Sequence, residues 1–73
     1  MPQYLHRQMI NAILSASEVS LTAREIADRI ILQFGHPITA RQVYDCIYHI
    51  PKNLCLIETV ESFPKRYKLY DKY

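Results

Sequence analysis

Apolar residues recur at helical spacing near the start of the chain. They follow one another at intervals of three and four, which is the period of an amphipathic helix. The residues in this pattern are Leu5, Met9, Ala12, Ile13 and Ala16. Tyr4, Ile10 and Leu14 widen the apolar surface beyond one narrow stripe. We therefore expect a first helix over residues 3–16 that faces two neighbours, and a homodimer through this helix supplies one of them.

A second helix is predicted to begin after Thr22. Thr22 and Glu25 form a capping box, in which each side chain bonds the backbone N–H of the other residue. The helix ends near Phe34, because Gly35 suits a left-handed cap and Pro37 prevents continuation. The apolar positions that keep helical spacing are Ile26, Ala27, Ile30, Ile31 and Phe34. Before this helix, residues 19–21 are long enough only for a short extended segment.

A third helix is predicted from a second capping box, Thr39 to Gln42, to about Ile50. Ile38 is placed to pack onto Val43 as a hydrophobic staple, and a proline at position 51 stops the helix. Val43, Ile47 and Ile50 share one face, with Cys46 on its flank. The opposite side carries Arg41, Asp45 and Tyr48, with Gln42, Tyr44 and His49 on its margins.

The last third of the chain has the pattern of a β-hairpin. Residues 54–60 and 66–70 are rich in β-branched and apolar side chains, and the five residues between them include Pro64. We therefore predict an α+β fold with three helices and a C-terminal two-stranded hairpin, in a single domain over residues 1–73. The expected core includes Leu5, Met9, Ile13, Ile26, Ile30, Val43, Ile47, Ile50, Leu56 and Leu69.

Composition narrows the class of protein. The chain has 73 residues, of which 49% are hydrophobic, enough for one small core without staples. Two cysteines are too few for a secreted disulfide framework, and no charged leader with an apolar run precedes them. The apolar runs are too short for a membrane span. These features predict a reduced, cytoplasmic protein that does not enter a membrane.

Charge and reactive residues favour a binding protein over an enzyme. The net charge is +2, and its excess lies in the second half of the chain, where Lys65, Arg66 and Lys68 cluster. The histidines have no Ser or Cys partner at a recognised motif, and a single glycine excludes a glycine-rich phosphate loop. Cys46, His49 and Cys55 lack a fourth zinc ligand at a recognised spacing. We expect no catalysis, no cofactor and no metal.

The order of elements resembles a winged helix-turn-helix DNA-binding domain. Two capped helices are joined by a short turn, and a hairpin then ends in a basic strand. The strand over residues 56–60, the basic loop and the strand over residues 66–70 resemble the wing of PadR-like and MarR-like regulators. Residues 22–26 and 48–50 are also loosely similar to CaiF/GrlA-type activators.

The resemblance implies that this protein binds double-stranded DNA as a transcription regulator. Helix 39–50 would enter the major groove, and wing 61–66 would lie on the backbone. Arg41 would contact guanine and Gln42 adenine, while Arg24 would contact phosphate. Lys65 and Arg66 would reach the backbone or the minor groove from the wing. The implied recognition residues of the third helix are Thr39, Arg41, Gln42, Tyr44, Asp45 and Tyr48.

The same residues also allow structural interpretations. Arg41 and Asp45, four apart, can pair on a solvated helix face, and Gln42 can act only in its capping box. Asp45 would repel phosphate, although it can accept a hydrogen bond from cytosine. Tyr44 and Tyr48 suit a protein interface as well as DNA. The alternative is a winged-helix protein-interaction module that binds a protein partner through these tyrosines or the wing.

Overall fold

The fold combines three helices with a small three-stranded antiparallel sheet. The computed structural model describes residues 3–50, 57–60 and 62–69, with side chains from residue 5 onward. It therefore confirms the α+β class with three helices. The elements, in chain order, are α1 (Gln3–Ala16), β1 (Leu21–Thr22), α2 (Ala23–Phe34), α3 (Ala40–Tyr48), β2 (Ile57–Val60) and β3 (Arg66–Leu69).

Both predicted capping boxes are present, and they fix where α2 and α3 begin. The Thr22 amide donates to Glu25 Oε1 at 2.9 Å, and the Glu25 amide donates to Thr22 Oγ1 at 3.1 Å. Thr39 and Gln42 repeat the arrangement at 2.9 and 3.1 Å. Gly35 ends α2 with φ of 63°, in the left-handed region that favours glycine. The five capping residues predicted from the sequence therefore act as predicted.

The third helix is shorter than predicted. It ends at Tyr48, two residues before Ile50, and His49 forms its C-cap. The His49 amide donates to the Asp45 carbonyl at 3.1 Å, and His49 Nδ1 lies 2.8 Å from the same oxygen. Ile50 continues only as a tighter turn, with its amide bonded to the Ile47 carbonyl at 3.3 Å. A prediction based on the following proline located the end of this helix only to within one turn.

The sheet contains one strand more than the predicted hairpin. β3 lies in the middle, with β2 and β1 antiparallel on its two sides. In β1, Leu21 faces Tyr67 and Thr22 faces Arg66. The extended segment predicted over residues 19–21 thus begins two residues later, ends one residue later and is a sheet strand. Position 70 and the start of the strand predicted from residue 54 lie outside the described residues.

The core lies between the three helices and one face of the sheet. Its members are Met9, Ile10, Ile13, Leu14, Leu21, Ile26, Ala27, Ile30, Ile38, Val43, Cys46, Ile57 and Tyr67. Five of the ten predicted core residues are fully buried, and Ile47, Ile50 and Leu69 pack against the core while partly buried. The prediction for Leu5 was wrong, because its side chain is 36% exposed. Met9, one turn later in α1, is buried. Leu56 lies outside the described residues.

The apolar residues of α1 and α2 differ in how far the fold covers them. Ile31 and Phe34, which keep helical spacing with the buried residues of α2, are exposed. Ile10 and Leu14, which motivated the homodimer, are fully buried within the single chain. The wide apolar surface of α1 is thus largely covered by its own fold, and the dimer remains a prediction without that support. Among the described residues, no helix has the length and apolar character needed to cross a membrane.

Candidate nucleic-acid interface

A groove of about 480 Å³ opens between the start of α2, the first turns of α3 and the loop that joins β2 to β3. Arg24 stands on its α2 side, Tyr44 on its α3 side and Lys65 on its loop side. The full lining is Thr22, Ala23, Arg24, Ala40, Tyr44, Ser62, Phe63, Pro64, Lys65 and Tyr67. The fold thus brings together candidate contact residues from three separate segments of the chain.

The two helix arginines each lie beside an acidic residue one turn further on. Arg24 Nε is 3.8 Å from an Asp28 carboxylate oxygen, and Arg41 Nε is 3.4 Å from one of Asp45. The arginine side chains are 82% and 83% exposed. Solvent screens such pairs, and i,i+4 pairs on a helix contribute only about 0.3–0.5 kcal/mol. Both guanidinium groups are therefore accessible to a ligand at small cost.

The capping residues of α3 are partly engaged. Gln42 Oε1 accepts hydrogen bonds from the Thr39 amide at 2.9 Å and from the Thr39 hydroxyl at 3.4 Å. This geometry occupies the acceptor oxygen that a bidentate contact to adenine needs, because that contact uses both the oxygen and the amide nitrogen. Base reading by Gln42 would require the capping box to open.

Tyr44 and Tyr48 form a stacked pair on the exposed side of α3. Their ring centres are 6.1 Å apart and their planes differ by 22°. Tyr48 also meets the ring of His49 edge to face at 5.3 Å. Below them, Tyr67 is buried in the core, and burial followed by the nearby Tyr44 raises the pKa of its hydroxyl. Stacking and their shared position on α3 therefore fix the arrangement of the exposed Tyr44 and Tyr48 rings.

The two basic residues at the junction of the β2–β3 loop and β3, Lys65 and Arg66, have different surroundings. Lys65 is exposed beside the groove and has no recorded ion-pair partner in the described part of the chain. Arg66 turns back toward the body of the fold, where its Nε donates to Ser20 Oγ at 3.0 Å and its Nη2 donates to the Ser20 carbonyl. Arg66 Nη2 also lies 3.5 Å from Glu25 Oε1. The expected outward reach of Arg66 is therefore corrected to an inward contact with the start of α2.

The pKa of the Glu25 carboxyl is lowered, and the contact with Arg66 is one of the causes. The hydrogen bond from the Thr22 backbone amide lowers the pKa of the Glu25 carboxyl, and the Arg66 guanidinium acts in the same direction. Both groups stabilise the carboxylate form. The capping box and the inward arginine thus share one acceptor.

Phe63 is a residue of the groove that the sequence reading did not single out. Its side chain is fully exposed at the tip of the loop between β2 and β3. Its ring lines the groove together with Tyr44 and Lys65, which makes it a candidate contact residue. The feature of the sequence that could have pointed to Phe63 is an aromatic residue next to Pro64 in a predicted turn.

The cysteine and histidine set weighed for zinc does not assemble in the described residues. Cys46 is a buried thiol in the core, and burial raises its pKa, with Arg7 acting weakly in the opposite direction. Cys55 lies outside the described residues. No group of three or more potential ligands among His, Cys, Asp and Glu occurs in the part of the chain that the structure describes. Comparison of the chain with family models, with curated proteins and with solved structures finds no match in any of the three.

Proposed function

We propose that this protein is a small sequence-specific DNA-binding protein that acts as a transcription regulator. In this proposal α3 enters the major groove and the loop between β2 and β3 lies on the backbone, as in a winged helix-turn-helix domain. The observation that carries the proposal is the groove that joins Arg24, Tyr44 and Lys65. The positively charged side chains of Arg24 and Lys65 on its two rims suit a ligand that places phosphates on both sides of α3.

Arg41 is the residue proposed to read a base. Its guanidinium is 83% exposed in the first turns of α3, next to Ala40 in the groove wall. Releasing it from Asp45 costs only about 0.3–0.5 kcal/mol, whereas a bidentate contact to guanine discriminates by about 1–3 kcal/mol. The free energy gained from the contact with guanine therefore exceeds the cost of breaking the Arg41–Asp45 ion pair. The Asp45 carboxylate would then accept a hydrogen bond from a neighbouring cytosine.

Lys65 and Arg24 are proposed to contact phosphates. Both are exposed side chains on opposite rims of the groove, and neither donates to a backbone group of the described chain. Contacts of this kind carry no base information but release counterions, so affinity falls steeply with salt. Arg66 is not among the proposed phosphate contacts, because its guanidinium is held by Ser20 and Glu25.

The test is a set of binding titrations on duplex DNA at several salt concentrations. We expect Lys65→Ala to weaken binding to all sequences alike and to reduce the salt slope by about one. Arg41→Ala should instead relax the preference at one base pair, worth about 1–3 kcal/mol. Arg29→Ala is the matched control, because Arg29 is an exposed cation of α2 outside the groove. If Arg29→Ala changes binding as much as Lys65→Ala, only net charge matters and the proposed interface is wrong.

A second function is favoured by the aromatic side chains. Tyr44 and the fully exposed Phe63 line a groove whose walls include alanine and proline, and Tyr48 stacks on Tyr44. Aromatic residues are enriched at protein interfaces, so a protein-interaction module fits these residues. It replaces the DNA proposal if Arg41 and Lys65 variants bind duplex DNA as the wild type does while Tyr44→Ala or Tyr48→Ala disrupts a protein complex.

A further inference from the structure

Two histidines from distant parts of the chain meet away from the groove. His6 lies on α1 and is buried, while His36 is half-buried in the turn between Gly35 and α3. Their Nε2 atoms are 3.3 Å apart. The ring centres are separated by 5.3 Å and the planes differ by 65°. Both rings therefore direct the same nitrogen toward one shared point.

This geometry suits two ligands of one metal ion. Two imidazole nitrogens bound to a tetrahedral ion at 2.0–2.1 Å lie about 3.3–3.4 Å apart. With both rings pointing at that ion, their centres would be about 5.2 Å apart by the same geometry. The observed 3.3 and 5.3 Å agree with both values. A hydrogen bond between the two Nε2 atoms fits the same 3.3 Å distance, with one ring donating and the other accepting, so metal binding has to be measured directly.

The chemistry of the two nitrogen atoms decides which ions the pair suits. A neutral imidazole offers a lone pair on one nitrogen, which is the form that binds metals. Two imidazoles with solvent at the remaining positions suit Zn²⁺, Ni²⁺ or Cu²⁺, and do not suit Mg²⁺ or Ca²⁺, which prefer oxygen.

We propose that His6 and His36 form a binding site for one such ion, with Zn²⁺ as its probe, that ties α1 to the turn before α3. The protein supplies two nitrogen ligands and water supplies the others. The two residues are brought together only by folding, so an ion at this site stabilises the folded state as its concentration rises.

The experiment measures Zn²⁺ binding to the chelator-treated full chain by competition with a chromophoric indicator, and thermal unfolding with Zn²⁺ or Mg²⁺. We expect one ion per chain, a Tm that rises with Zn²⁺ and not with Mg²⁺, and at least tenfold weaker binding by His36→Gln. His36 is the first choice because it is less buried than His6, so the variant is expected to fold; far-ultraviolet circular dichroism verifies this. His6→Gln should lose binding to the same extent.

Two matched variants separate this site from other zinc ligands of the chain. His49→Gln removes an exposed histidine of the α3 cap, and Cys55→Ser removes a thiol. Both should bind Zn²⁺ as the wild type does. The proposal is overturned if the wild type binds Zn²⁺ no more tightly than folded His36→Gln does, or if Cys55→Ser abolishes binding while His36→Gln does not. Neither measurement involves DNA, so the result is independent of the proposed function.

Discussion

Replacing Arg66 with alanine is expected to destabilise the fold more than it weakens DNA binding. The side chain joins β3 to the start of α2 through two hydrogen bonds to Ser20 and an ion pair with Glu25. Hydrogen bonds to a charged group contribute about 1.5–3 kcal/mol each when buried. The Arg66 side chain is 35% exposed, so solvent screening reduces these contributions. We expect Arg66→Ala to lower the free energy of unfolding by about 1.5–3 kcal/mol in total.

Urea unfolding followed by circular dichroism measures this loss directly. For a domain of this size the expected change lowers the Tm by roughly 6 °C or more. Lys65→Ala is the matched control, since it removes the neighbouring positive charge without these contacts and should stay within about 0.5 kcal/mol of wild type. A double-mutant cycle with Glu25→Gln, which can still cap α2, should give a coupling energy of about 0.2–1 kcal/mol.

One result would refute this account of Arg66. If Arg66→Ala unfolds at the same urea concentration as the wild type, and weakens duplex binding more than Lys65→Ala does, the guanidinium faces DNA. The contacts with Ser20 and Glu25 would then contribute nothing measurable to folding. The wing would present two phosphate contacts, as the sequence alone suggested.

Three further sets of substitutions test the fold. Ile30→Ala, at a fully buried position, should cost about 2–5 kcal/mol in urea unfolding, and the exposed Ile31→Ala should change stability by less than about 0.5 kcal/mol. Thr39→Ala should cost about 1 kcal/mol by removing the α3 cap, and Thr39→Ser should restore most of it. The pKa of His6 is lowered by burial in the fold, so the unfolded chain binds more protons and stability should fall as the pH drops below about 6.5. His6→Gln should flatten this dependence of unfolding on pH.

Local signals in the sequence were sufficient to place the helices. Capping boxes act within four residues, so Thr22 and Thr39 mark the starts of α2 and α3 without knowledge of the rest of the chain. Gly35 marks the end of α2 for the same reason. Only the end of α3 was misplaced, because a proline limits where a helix can continue and does not decide where it stops.

Tertiary contacts could not be inferred from the same signals. The partner of β1 is β3, far away in sequence, and a two-residue strand has no periodicity that would show it. The direction of Arg66 follows from that pairing, which sets it beside Ser20 and Glu25. Ile31 has helical spacing to the other apolar residues of α2, yet the core ends before it. Among the candidate site residues, the sequence named both rims of the groove but not Phe63 at the tip of its loop.

Thr22 belongs to two elements at once, because it is the last residue of β1 and the N-cap of α2. Its register partner in the sheet is Arg66, the first residue of β3. Loss of the β1–β3 ladder therefore also removes the support of the first turn of α2. Hydrogen exchange should find the amides of β3 and of the first turns of α2 opening together, as one cooperative unit. We therefore expect the β2–β3 hairpin to unfold together with the rest of the domain and not as a separate unit.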